Sequence, residues 1–286
     1  MSRFTDEFTR LVKETGLNIF RLTEIKDGVP TTVRFCETNR CNDSYSVAKA
    51  FVVTAIGLCA DRGLLSVDEK LTDIFPEYGS VIKDEHWRGA TVHNALTHRL
   101  GLPGGYLDID ALPASQFGSD FLKYVFETKL DCAPGEERKY TDAAFYLLGR
   151  VAEKKSGIPL DRFLWEHLLT PLGFAEAAWS TCPLGHPMGA TGLYIDTADM
   201  AKLGQLYLDG GVWNGQRIIS KEWVDTVLER EYEFHWNGAH TAYGKGGMFG
   251  QNLTVIPGKN RVVAWHGYVT DGDLGALHRF VETYES

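Results

Sequence analysis

The chain has 286 residues and is 44% hydrophobic, enough for a real core in one large domain or two modest ones. Its formal net charge of −9 disfavours nucleic acid and anionic membranes, whose phosphates it would repel, and is compatible with small neutral or cationic substrates. The longest apolar run, Ala50–Ala60, is broken by Thr54 and falls short of the roughly 20 helical residues that cross a bilayer. The segment Met1–Thr15 alternates charge with apolar residues and lacks an uninterrupted apolar stretch, so no signal peptide is expected and the expected location is cytoplasmic. The cysteines, at 36, 41, 59, 132 and 182, lack metal-ligand spacing and read as reduced thiols.

In chain order, residues 3–15 form an amphipathic pattern with Phe4, Phe8, Leu11 and Val12 on one face. Residues 18–25 and 31–36 read as a hairpin around Lys26-Asp27-Gly28. Residues 46–63 are apolar nearly all round, which predicts a buried helix. Residues 64–190 are mostly helical in pattern; in the segment Asp142–Lys155, Phe145, Leu148, Val151 and Ala152 share a face before the stop at Gly157. Two helices are predicted over 195–210 and 220–230, strands over 249–256 and 261–266 joined by Pro257-Gly258-Lys259-Asn260, and a last helix from Leu274 to Tyr284. This order predicts a mixed α/β (α+β) fold: a sheet region from residues 1–63 and 191–286, and a mostly helical region, 64–190, inserted between them. An active cleft is expected where the two regions meet, since ligand sites favour such junctions.

Three segments carry chemistry. In Ser46-Val47-Ala48-Lys49 the spacing of three puts both side chains on one helical face, where the Lys49 amine can serve the Ser46 hydroxyl, a weak nucleophile that needs a base. The apolar run behind it supplies the desolvation that lowers a lysine pKa, and the helix start offers backbone N–H groups to an oxyanion. The alternative role for Ser46 is a helix N-cap. Ser80-Val81-Ile82-Lys83 repeats the spacing but runs into Asp84-Glu85-His86 and reads as a solvated loop. In the second segment, Tyr140-Thr141-Asp142, Tyr140 is a phenolic relay or a core aromatic, and Asp142 is a helix N-cap that can also line the cleft. In the third, Lys245-Gly246-Gly247-Met248 leads into a strand, and its glycines admit close approach of a backbone or a substrate. An N–H from this strand could complete an oxyanion hole with that of Ser46. The histidine pairs His93/His98 and His235/His240 are five apart rather than four, so no metal site is expected, and no cofactor.

The order Ser-x-x-Lys, Tyr-x-Asn, Lys-Thr-Gly is the signature of the penicillin-recognising serine hydrolases. This sequence resembles the branch containing class C β-lactamases, related esterases and 6-aminohexanoate-dimer hydrolases. Tyr45–Phe51, Asn94–Leu102, Ala143–Gly149 and Gly204–Gly211 carry the likeness beyond the motifs, over roughly residues 17–270. The resemblance implies an antiparallel sheet flanked by terminal helices plus a helical region, with Ser46 as nucleophile and Lys49 and Tyr140 sharing proton transfer. Asp142 and Lys245–Met248 would line the substrate site. Two positions depart from the pattern: Asp142 replaces the asparagine, and Gly246 replaces a threonine or serine. Counting back from Pro257 would instead place the third motif at Ala242-Tyr243-Gly244, with His240-Thr241 also nearby. An ionised carboxylate cannot donate a hydrogen bond, which weakens the case for β-lactam or peptide substrates. Small esters or amides are the expected substrates; a β-lactamase or D-alanyl-peptide hydrolase, and a catalytically silent binding protein on the same scaffold, are the alternatives. No nucleic-acid or membrane partner is expected, and oligomeric state is left open.

Overall fold

The computed structural model describes residues 2–285. It divides into two compact units: one comprises the chain up to Val47, Thr170–Ala178 and everything from Leu193 onward, the other Ala48–Leu169 and Trp179–Gly192.

In the first unit the described residues form a six-stranded sheet ordered Val29–Arg34, Ile19–Lys26, Arg261–Gly267, Gln251–Ile256, Tyr243–Gly247, His235–Trp236. The first two strands are joined by Asp27 and Gly28, both at positive φ (50° and 78°), the backbone that a tight two-residue hairpin requires. Arg261–Gly267 and Gln251–Ile256 are buried at every position because helices cover both faces of the sheet. On one face the helices Arg3–Thr15 and Gly275–Thr283 bury Phe4, Phe8, Val12, Leu277 and Val281 against Leu22, Val263 and Trp265. The opposite face, which carries Val262, receives the helix Thr197–Leu208. That helix comes close because residue 204 is glycine: a Cβ there would stand 2.6 Å from Val262 Cγ1 and 2.9 Å from Leu253 Cδ1.

In the second unit the helix Ala48–Asp61 is buried from Ala48 through Cys59, as its unbroken apolar sequence demands, and packs on the helices Asp142–Ser156 and Leu160–Leu164. The helix Asp142–Ser156 ends at Gly157, whose φ of 77° lets its N–H return to the Glu153 carbonyl. This is the mixed α/β architecture expected: an antiparallel sheet flanked by terminal helices, with a mostly helical region. Among the described residues no helix is long and apolar enough to cross a membrane.

Three local details differ from the sequence reading. Residues Tyr45–Val47 are a 3-10 turn, with α-helix only from Ala48. The strand predicted from residue 249 starts at Gln251, because Phe249 and Gly250 both take positive φ (57° and 89°) and break the extended backbone. The N-cap of the helix Asp142–Ser156 is Thr141, whose Oγ1 accepts from Ala143 N, so Asp142 stands one position inside the helix with its carboxylate released from capping.

Candidate active site

Ser46 occupies the 3-10 turn in the first unit and is half-buried. The turn is entered through Tyr45, at φ 45°, a left-handed conformation that costs a bulky residue about 1–2 kcal/mol. Local contacts sustain it: Tyr45 N donates to Asp43 Oδ1 at 2.8 Å, Ser44 N to the Leu193 carbonyl at 2.8 Å, and Val47 N to the Ser44 carbonyl at 3.1 Å. The Tyr45 ring meets Phe249 edge to face at 5.3 Å, and Phe249 in turn stacks on Tyr268 at 4.4 Å.

The strand Tyr243–Gly247 packs against this turn within the same unit. Gly247 is where the two backbones converge, since a Cβ there would lie 2.6 Å from the Ser44 carbonyl oxygen. Gly246 is unlike it: its nearest neighbour would be 3.8 Å away, so a side chain would fit. Met248 follows, partly exposed. Lys245 is buried in an ion pair with Glu233, itself buried and at φ 62°. The sequence gives no sign of that partner, twelve positions upstream. A cation already committed to a carboxylate is a poor anchor for a substrate's negative group.

The second unit brings together Lys49, Tyr140 and Asp142. Lys49 is fully buried; its Nζ stands 2.7 Å from Asp142 Oδ1, donates to the Ala190 carbonyl at 2.9 Å, and lies 4.8 Å from the centre of the Tyr140 ring. Carboxylate, carbonyl and aromatic face are the neighbours that suit a cation. Tyr140 is partly exposed and is held by His98: the rings lie 4.5 Å apart, Lys139 N donates to the His98 carbonyl at 2.9 Å, and Thr141 N donates to His98 Nδ1 at 3.3 Å. Buried His98, at φ 55°, thus fixes the backbone on both sides of Tyr140.

Asp108 and Asp110, which the sequence reading passed over, lie beside Asp142: the three carboxylates have oxygens within 4.8 Å of one another. The Tyr106 carbonyl gathers them, accepting from Thr141 Oγ1 at 2.6 Å and from Ala143 N at 3.0 Å, while Gly105 N donates to the Tyr140 carbonyl at 2.8 Å. The pair Asp108-x-Asp110 is visible in sequence, but nothing in the spacing links it to residue 142. The second serine–lysine pair, Ser80 and Lys83, sits in an exposed, solvated loop where Lys83 Nζ bonds the Ser80 carbonyl at 3.2 Å. Ser46 and Lys49 stand three positions apart in one uninterrupted run of 3-10 and α-helical backbone.

Residues 36–272 match the family model described as Beta-lactamase. The chain is 25% identical to penicillin-binding protein 4 of Amycolatopsis lactamdurans, over 79% of this chain and 72% of that one. It is 23% identical to a 6-aminohexanoate-dimer hydrolase of Paenarthrobacter ureafaciens, over 78% of this chain and 68% of that one. Its fold is shared with a solved β-lactamase/D-alanine carboxypeptidase of Pseudomonas syringae, at a TM-score of 0.74 and 14% identity over 99% of this chain and 98% of that one. With the family match spanning most of its length, the chain belongs to the β-lactamase family and is a serine hydrolase related to those enzymes.

Proposed function

We propose that the protein cleaves a small ester or amide in two steps through a covalent Ser46 acyl-enzyme. Ser46 Oγ attacks the carbonyl carbon, its proton passes to a Tyr140 phenolate that the Lys49 ammonium stabilises, and Tyr140 returns it to the departing alcohol or amine. Water then releases the acyl group by the same route in reverse. The backbone N–H of Ser46 and one from the Lys245–Met248 strand are the proposed oxyanion donors. The observation that carries this reading is the strained backbone of Tyr45, held at φ 45° directly before Ser46, in a turn against which the strand ending at Gly247 closes. Strain of this kind persists only where the surrounding structure over-determines it, and it concentrates at working sites.

Esters and small amides are favoured over β-lactams for two reasons. Lys245 is committed to Glu233, and Asp142 offers Lys49 a charge where an amide would offer a substrate a donor. The pairing of Lys49 with Asp142 also favours a second reading, a silent binding protein, because a lysine held as a cation cannot act as a base. Location in the cytoplasm is proposed as well, supported by the free thiols at 36, 41, 59, 132 and 182.

The test is turnover of para-nitrophenyl esters of graded acyl length, alongside nitrocefin. Ester hydrolysis that exceeds nitrocefin hydrolysis and disappears in Ser46→Ala supports the proposal. Binding of esters without turnover supports the silent reading, and dominant nitrocefin turnover would make the protein a β-lactamase.

A further inference from the structure

A single exposed apolar side chain needs no explanation. In the first unit the large apolar side chains that are exposed among the described residues are Val29, Tyr194, Met248 and Tyr268, and two of them gather at Phe249. Met248 precedes Phe249 in the chain, and the Tyr268 ring stacks on it with centroids 4.4 Å apart and planes 25° apart. On its other side Phe249 meets Tyr45 edge to face, at 5.3 Å and 74°. Tyr45 is joined by a peptide bond to Ser46, so a row of three rings leads from the residue beside the proposed nucleophile out to solvent. Tyr45 and Phe249 are half-buried, and Tyr268 is 46% exposed.

The row is held in place at a cost. Tyr45 at φ 45° and Phe249 at φ 57° both take left-handed backbone, which bulky residues avoid. Tyr268 N donates to the Asn18 carbonyl at 2.9 Å, the Tyr268 carbonyl accepts from Asn18 Nδ2 at 3.2 Å, and Val269 N donates to the Phe249 carbonyl at 3.0 Å. The outermost ring is thus kept in water on a fixed backbone, where its own burial is not what the arrangement gains. We propose that Tyr45, Met248, Phe249 and Tyr268 form a subsite for an aromatic ring of the substrate, so that the hydrolase prefers esters or amides carrying an aryl group a short spacer from the scissile carbonyl. This rests on the acyl-transfer reading above. None of the four side chains carries a charge, which suits a neutral group, and stacked and edge-on rings favour a flat aromatic partner over a saturated one. Met248, unbranched and polarisable, adapts to the edge of such a ring. Continuity with Ser46 through Tyr45 is what makes the occupant the substrate rather than a second copy of the chain.

The experiment uses two pairs of esters in which phenyl is exchanged for cyclohexyl, a ring of similar size that is no less apolar. Methyl 3-phenylpropanoate and methyl 3-cyclohexylpropanoate carry the ring on the acyl side; 2-phenylethyl acetate and 2-cyclohexylethyl acetate carry it on the leaving side. Wild type is expected to favour the phenyl member of one pair by about three- to tenfold in kcat/KM, and the pair that responds tells which side of the carbonyl the ring occupies. Tyr268→Phe is expected to keep the preference. Tyr268→Ala, and Tyr268→Leu should the alanine variant not fold, are expected to bring the ratio to near parity; the ratio within a pair is independent of the fraction of protein folded. If Ser46 takes a fluorophosphonate label but no pair shows a phenyl preference, or the preference survives loss of the Tyr268 ring, the subsite is wrong and the acyl-transfer reading stands. If Ser46 resists every acylating reagent while calorimetry shows 3-phenylpropanamide binding more tightly than 3-cyclohexylpropanamide, and Tyr268→Leu removes that advantage, the acyl-transfer reading fails and the subsite stands. Self-association in sedimentation that Tyr268→Leu abolishes, with no phenyl preference, would make the row a contact between copies and overturn the proposal.

Discussion

Lys49 Nζ lies 2.7 Å from Asp142 Oδ1, with the lysine side chain fully buried and the aspartate side chain 8% exposed. Taking two charges out of water is costly, and their attraction repays that cost only while both partners are present. Asp142→Ala is therefore expected to destabilise the protein by about 3–5 kcal/mol in urea unfolding, because it strands an ammonium in the interior. Asp142→Asn should cost clearly less, since its amide oxygen still accepts from Nζ. A loss of under about 1 kcal/mol for the alanine variant would mean that water reaches Lys49 freely.

Gly247 and Gly246 are adjacent, but only the former faces backbone at close range, with a virtual Cβ 2.6 Å from the Ser44 carbonyl against 3.8 Å for the nearest atom to Gly246. Gly247→Ala is expected to push the strand off the turn that carries Ser46, costing about 1–3 kcal/mol of stability and, if Ser46 is the nucleophile, roughly a hundredfold in kcat for a reactive ester. Gly246→Ala should stay within about 1 kcal/mol of wild type in the same unfolding assay. Equal losses at the two positions would remove Gly247 as the contact that sets the turn.

His266 is fully buried, with Nδ1 2.7 Å from Gln251 Oε1 and Nε2 2.9 Å from the Ile195 carbonyl, and burial pulls its pKa down from 6.5 to about 4. The unfolded chain thus binds the proton more readily than the folded one. Stability from this group is complete above pH 6.5 and is lost as pH falls through 4, by on the order of 3 kcal/mol. Denaturant midpoints from pH 7.5 to 4 should show the decline, and His266→Gln should flatten that part of the curve. A wild-type profile with no slope in this window contradicts a neutral buried imidazole.

Much of the fold is legible in sequence because its signals are local. The apolar face of residues 3–15, the all-round apolar run after Ser46, the stop at Gly157 and the Asp27-Gly28 hairpin each express one element's own physics. The strained backbone at Tyr45 is not legible, since nothing marks a tyrosine for positive φ; neighbouring hydrogen bonds impose it. Nor is the capping of the helix Asp142–Ser156. Thr141 and Asp142 are both good caps, and the choice follows from Thr141 being tied to the Tyr106 carbonyl. The partners Glu233 of Lys245, and Asp108 and Asp110 of Asp142, are set by tertiary contact, which one sequence without spacing rules does not encode.

In the proposed reaction Ser46 carries the acyl group. The most direct test is intact-protein mass spectrometry after treatment with a slowly hydrolysed ester or a fluorophosphonate, followed by fragmentation of the labelled peptide, which also contains Ser44, whose Oγ is buried. A single stoichiometric adduct is expected on Ser46 and is expected to be absent from Ser46→Ala. An adduct retained in that variant, or found on another residue of the wild-type chain, would contradict it.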